Sequence, residues 1–282
     1  MIHIPGVLTR HDPVAEPVPV LFDSPHSGIE YPADFVLAAP LDLLRTSEDA
    51  FVHELFGAAP AMGAILVEAH FPRAYIDPNR ALSDIDPELL AEAWPEPLTP
   101  TEKSRLGLGL IRRLAVPGVP VHARKLTAAE VRARIDRFYR PYHEVIDGAY
   151  RELHQRFGQV WHINCHSMKS IGNAMGPDEG ARRPDFVLGD RDGTTCDPVF
   201  IACVRDVLCD LGYSVTVNYP YKGVELVRRY SDPGTGRHAL QIEVNRGLYM
   251  NERRIAKNAG FDELKDDLTE VIEAVVDFAS KR

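Results

Sequence analysis

The sequence predicts an α/β fold, a single three-layer domain over residues 1–282 whose central, mostly parallel sheet is flanked by helices. Three observations carry that prediction. Six short apolar runs read as buried strands: Val18–Phe22, Ala64–Val67, Val160–Asn164, Phe186–Leu188, Ser214–Val217 and Ala239–Val244. Helical patterns separate many of them, as crossovers between parallel strands require. The composition, 45% hydrophobic and 26% charged in 282 residues, fits a globular chain and excludes fibrous, collagen-like and disordered classes.

Taken in order, the first run leads into Asp23-Ser24-Pro25-His26-Ser27-Gly28, a tight turn at a strand end. Phe51, Val52, Leu55 and Phe56 then mark a short helical stripe ahead of the second run. Between Ile85 and Pro120, six prolines surround a helical pattern over Glu102–Leu114, which reads as a Pro-rich insertion over the sheet. A helix starts at Thr127, where Thr127 and Glu130 have capping-box spacing, and runs toward Gly158. Pro141 should kink or split it, because a ring inside a helix removes a donor and clashes with the preceding turn. A Gly-rich, charged loop spans Gly172 to Pro184. Asp197 and Pro198 open a further helix that Gly212 ends, and the last helix runs from Phe261 to Phe278.

With 32 basic and 41 acidic side chains the net charge is −9, which argues against a general polyanion binder such as a nucleic-acid protein. A small anion in a locally basic pocket remains open. Four cysteines without a C-x-x-C pair read as reduced thiols of a cytoplasmic protein. No basic-then-apolar leader opens the sequence and no apolar run approaches the ~20 residues that cross a bilayer, so neither a signal peptide nor a membrane span is expected.

Open α/β sheets bind ligands at strand ends, and polar segments cluster there. His26 either serves a metal or catalysis or merely closes its turn. His166, in Asn164-Cys165-His166-Ser167-Met168 after the third run, repeats the His-Ser step. Two such steps point to one shared site, in which two imidazoles would hold zinc and a carboxylate would complete three protein ligands. Glu30 or the pair Glu48 and Asp49 could supply it, although acids ahead of a helix also simply favour its dipole. Glu243, between Ile242 and Val244, is a solvated or paired strand residue or a general base beside a metal-activated water. Arg73, Asn79 and Arg80 could clamp a carboxylate, and Asn218–Gly223 with Arg228 and Arg229 adds a basic, aromatic set. His162 reads as a sheet residue. G-x-S-x-G, G-x-G-x-x-G after a strand and the P-loop pattern are all absent.

The ordered set SPHSG (24–28), DPNR (77–80), NCHSM (164–168), LGDRDGTTCDP (188–198), YKG (221–223) and QIEVNRGLYM (241–250) resembles the N-formylglutamate amidohydrolase family over roughly residues 18 to 275. That family belongs with the zinc carboxypeptidase and aspartoacylase group. The resemblance implies a central mixed sheet between helices and one zinc ion on His26, Asp49 and His166. It further implies Glu243 as catalytic glutamate, Arg73 polarising the scissile carbonyl, and Asn79 with Arg80 gripping a substrate carboxylate. The group pairs its first His with a Glu three residues on, where this chain has Ile29, and so Glu30 stands as the alternative to Asp49. The implied reaction is hydrolysis of N-formyl-L-glutamate, a small anionic N-acyl amino acid, to glutamate and formate. Lys222, Arg228 or Arg229 would supply a second cationic anchor. The rival readings are a deacylase or carboxypeptidase-like hydrolase with another acyl group and a metal-free binding protein on the same fold.

Overall fold

A computed structural model describes residues 1–282. The chain begins with a hairpin, β1 (Ile2–Ile4) and β2 (Leu8–His11), and continues through β3 (Val20–Ser24), α1 (Leu41–Arg45), α2 (Val52–Leu55) and β4 (Ile65–Ala69). The Pro-rich segment holds α3 (Glu102–Arg105) and a small hairpin, β5 (Leu114–Val116) with β6 (Val119–Pro120). Then follow α4 (Ala128–Arg134), α5 (Arg140–Phe157), β7 (Val160–Met168), β8 (Phe186–Gly189), α6 (Pro198–Asp210), β9 (Val215–Val217), α7 (Glu225–Tyr230), β10 (Arg237–Asn245), α8 (Arg246–Tyr249) and α9 (Phe261–Ser280).

Eight strands form one sheet in the order β1-β2-β4-β3-β7-β10-β8-β9. The central β4, β3, β7 and β10 run parallel to one another, as do β8 and β9, while the β1/β2, β2/β4 and β10/β8 pairings are antiparallel. The sheet is therefore mixed and mostly parallel, as expected. Alternation along each strand splits the core in two. Leu21, Ile65 and Val67 face Val131, Phe138, Tyr142 and Ile146 of the α4–α5 layer, whereas Phe22, Leu66, Ile163 and Ile242 face α2, α6 and α9 on the other side.

The helix from Thr127 has the expected capping box, and it is interrupted as Pro141 requires: residues Ile135–Tyr139 widen to a π-helical turn, and α5 restarts with Pro141 in its first turn. Asp197 caps α6 by accepting from Val199 N. The helix expected over Glu102–Leu114 is a single turn, because Gly107 takes φ +79° and folds the chain back along Leu114. Ile85, Leu90, Leu110 and Ile111 of the Pro-rich segment are buried in the α4–α5 core, so this segment roofs the sheet. No helix is long and apolar enough to cross a membrane.

Candidate active site

The parallel register brings the polar residues together. Glu243 of β10 lies opposite His166 of β7, Gln241 opposite Asn164, and Asp23 of β3 on the other side of Asn164. His166 is thus inside a strand that continues to Met168, rather than in a turn after Asn164. His26 projects from the turn after β3, which seats against the backbone at residues 70–71: a Cβ on Gly28 would lie 2.2 Å from the Phe71 carbonyl oxygen. Asp49 is laced to that turn, its N–H donating to the His26 carbonyl at 2.9 Å and its carbonyl accepting from Ser27 Oγ at 3.0 Å.

His26 Nδ1, His166 Nδ1 and Asp49 Oδ2 form a buried triangle with edges of 3.1, 3.1 and 3.3 Å. Three ligands at ~2.0–2.1 Å from a tetrahedral zinc ion lie about 3.3 Å apart, so the triangle has the size of a zinc face. The far nitrogens are occupied: His26 Nε2 donates to Asp77 Oδ1 at 2.7 Å and His166 Nε2 to Asn164 Oδ1 at 2.6 Å. With both Nε2–H groups so used, the neutral imidazoles turn lone pairs toward a carboxylate oxygen. Three acceptors this close repel unless a cation lies between them, and two imidazoles with one carboxylate are a donor set that suits zinc. These residues fit the implied metal.

Outer partners fix the triangle. Asn164 is oriented by donating Nδ2 to Asp23 Oδ1 at 2.7 Å, and Asp23 also accepts from His162 and Tyr142. Asp77 accepts from Arg73 Nη2 at 2.8 Å and Nε at 3.2 Å. Burial raises the Asp77 carboxyl, but the Arg73 charge and His26 more than offset it and hold the group well below the usual range. Arg246 donates to Asp49 Oδ1 at 2.9 Å, Ser167 Oγ at 3.0 Å and the Thr46 carbonyl at 2.8 Å.

The triangle opens onto a cavity of about 460 Å³ whose wall includes His26, His166 and Glu243. Glu243 is 8% exposed and accepts from Gln241 Nε2 at 3.0 Å. Burial pushes its carboxyl up to about 7; His166 lowers it and the Asp49 charge raises it further.

The sequence model described as N-formylglutamate amidohydrolase matches residues 18–250. The chain belongs to the N-formylglutamate amidohydrolase family. It is 30% identical over 241 residues to the N-formylglutamate deformylase of Pseudomonas putida, covering 83% of each chain. It is 31% identical over 242 residues to that of Pseudomonas aeruginosa, covering 84% of each. Among solved structures, the N-formylglutamate amidohydrolase of Ralstonia eutropha JMP134 superposes with a TM-score of 0.93 at 44% identity, over 98% of this chain and 99% of that one.

Within this amidohydrolase-family chain, most of the residues singled out by sequence converge. Arg73, Asn79, Arg80 and Lys222 line the cavity with Glu243. Asn79 is held by Leu226 N donating to its Oδ1 at 2.9 Å. Lys222 sits at the exposed mouth, where Nζ donates to Asp192 at 2.7 Å. Glu30 lies apart, exposed and 3.7 Å from His70, and Glu48 accepts from Tyr31 at 2.7 Å, so Asp49 is the carboxylate that meets the two imidazoles. Arg228 is a correction: it is absent from the cavity wall, and from the half-exposed side of α7 it pairs with Glu225 at 2.5 Å. The sequence reading missed Asp77 and Asn164 as orienting groups. The signals were present: Asp77 is the acid in DPNR, and His162, Asn164 and His166 alternate on one strand face.

Proposed function

We propose that residues 1–282 act as one catalytic domain that hydrolyses the formyl amide of N-formyl-L-glutamate, with one zinc ion on His26, Asp49 and His166. The observation that carries the reading is the triangle of two imidazoles and a carboxylate opening onto a cavity with Glu243 directly across the sheet register from His166. The names of the Pseudomonas and Ralstonia relatives support the substrate. Four free cysteines agree with a cytoplasmic setting.

When bound, zinc supplies a Lewis acid that acidifies water and polarises the amide carbonyl. Glu243, buried across the register from His166, takes the proton of the attacking water and hands it to the leaving nitrogen of glutamate. Arg73, fixed by Asp77, points positive charge at the developing oxyanion. Arg80 and Asn79 hold a substrate carboxylate, and Lys222 draws the anion in at the mouth. Asp77 and Asn164 hold the two imidazoles with Nδ1 forward.

Formate release from N-formylglutamate by the purified, zinc-loaded protein tests the proposal. N-Acetylglutamate and a dipeptide in the same assay separate it from a related deacylase or peptidase. Stoichiometric zinc with formate as product is the expected result, and a zinc-loaded protein that releases no formate overturns it.

A further inference from the structure

Eight of the residues lining the cavity are cationic and one, Glu243, is acidic, within a protein of net charge −9. Four of the eight are already matched by carboxylates: Arg73 by Asp77, Arg183 by Asp178, Arg246 by Asp49 and Lys222 by Asp192. The guanidinium groups of Arg80 and Arg112 are different. Each has a buried Nε with no hydrogen-bond partner, and the nearest carboxylate to Arg80, on Asp84, is 3.9 Å away. Burial, with the charge of Arg73 adding to it, lowers Arg112 to about 9, which leaves it charged at neutral pH.

The backbone around Arg112 is tightly held. Leu110 and Ile111 are fully buried, and Arg112 bridges to Leu108. The next residue, Arg113, turns the opposite way and is matched by Asp86 at 2.6 Å and Glu88 at 3.0 Å. The fold thus pairs one arginine of the doublet and leaves the other facing the cavity. An unmatched buried guanidinium is unfavourable until an anion meets it, and its planar fork fits a carboxylate bidentately. The other two lining cations without a carboxylate are Lys103, which donates to the Met175 carbonyl at 2.6 Å, and Lys169; both are flexible ammoniums with no fork to match a carboxylate.

The geometry points to Arg112, from the roof segment, as the second carboxylate anchor that makes this site select a dicarboxylate over its monoamide. Arg80 and Arg112 then take one carboxylate each. This inference rests on the deformylase reading for the identity of the substrate, although the two-anion pocket can be tested without turnover.

The test is calorimetric binding of glutarate and of its isosteric monoamide, glutaramate, to the zinc-loaded protein and to Arg112→Gln. Wild type should prefer glutarate by about 10- to 100-fold, as one charge-assisted bidentate contact allows. Arg112→Gln should erase that preference by weakening glutarate alone, Arg112→Lys should keep part of it, and Lys169→Met should keep it whole. The kcat/KM ratio of N-formylglutamate to N-formylglutamine should fall in parallel. Arg112→Gln should also melt no lower than wild type, which a structural role would not allow. Equal weakening of both ligands, no change in the preference, or loss of the preference in Lys169→Met overturns the assignment. If wild type prefers glutarate yet releases no formate, the deformylase reading fails and Arg112 stands.

Discussion

Replacing Asp77 by Asn removes one buried charge and turns one acceptor into a donor, at a carboxylate that serves three neighbours. Asp77 Oδ1 accepts from His26 Nε2 and Asn79 N, and Oδ2 accepts from both Nε and Nη2 of Arg73. An Asn that keeps its oxygen toward His26 presents an amide N–H to the Arg73 fork. The flipped Asn presents N–H to His26 Nε2, forces the other tautomer and takes the lone pair off Nδ1, where the metal is to bind. Loss of such an orienting partner lowers metal affinity about 10- to 100-fold, or ~1.4–2.7 kcal/mol. Separately, breaking a buried ion pair destabilises the chelated protein by about 3–5 kcal/mol, and Arg73 and Asp77 are both largely shielded from water. Zinc titration against a competing chelator reads the first effect, and denaturant unfolding of the metal-free protein reads the second. Adding Arg73→Met should return part of the stability, because the orphaned cation is gone, but none of the affinity. Wild-type zinc affinity together with wild-type metal-free stability in Asp77→Asn would refute this account of the site.

Two further substitutions follow from the same geometry. Glu243→Gln should retain zinc by metal analysis while turnover falls ~10²–10⁴-fold, and near-normal turnover would remove Glu243 from proton transfer. In chelated protein the same variant should be the more stable at pH 8: a carboxyl raised from 4.5 to about 7 by folding contributes stability below pH 4.5 that is lost as pH rises through 7. The difference is about 3 kcal/mol at pH 8 and vanishes toward pH 4.5, and equal melting curves at both pH values would contradict it. Arg228→Ala should leave KM for the substrate unchanged and lower stability by ~1–3 kcal/mol, since it strips the partner from buried Glu225; a raised KM would return Arg228 to the site.

The central strands were legible because both faces of each are buried, so β3, β4, β7 and β10 appear as apolar runs. The β1/β2 hairpin was not, because Leu8-Thr9-Arg10-His11 carries polar residues and pairs with the very short β1 on one side and, on the other, with the distant β4. At the site, residue types at strand ends gave His26, His166 and Glu243. Asp49 needed more than local sequence, which favours a helix-dipole role. In fact Phe51 stands at φ +67° between Asp49 and α2, so the acid precedes the helix and turns back toward His26 instead. Arg228 misled for the complementary reason: its local setting is basic, but the face of α7 it occupies is set by packing that no spacing rule reports.

The triangle has one more consequence, which concerns time rather than affinity. Two of its edges close over separations of 140 residues between His26 and His166 and 117 between His166 and Asp49, the third over 23 between His26 and Asp49, and Arg246 reaches Asp49 across 197. Only His26 and Asp49 can meet before β7 aligns with β3; His166 joins them by closing loops of 117 and 140 residues, which is a late event. The full set of three donors therefore exists only once the central strands are in register. A zinc ion on the triangle would thus act as a clamp that slows unfolding more than it hastens assembly.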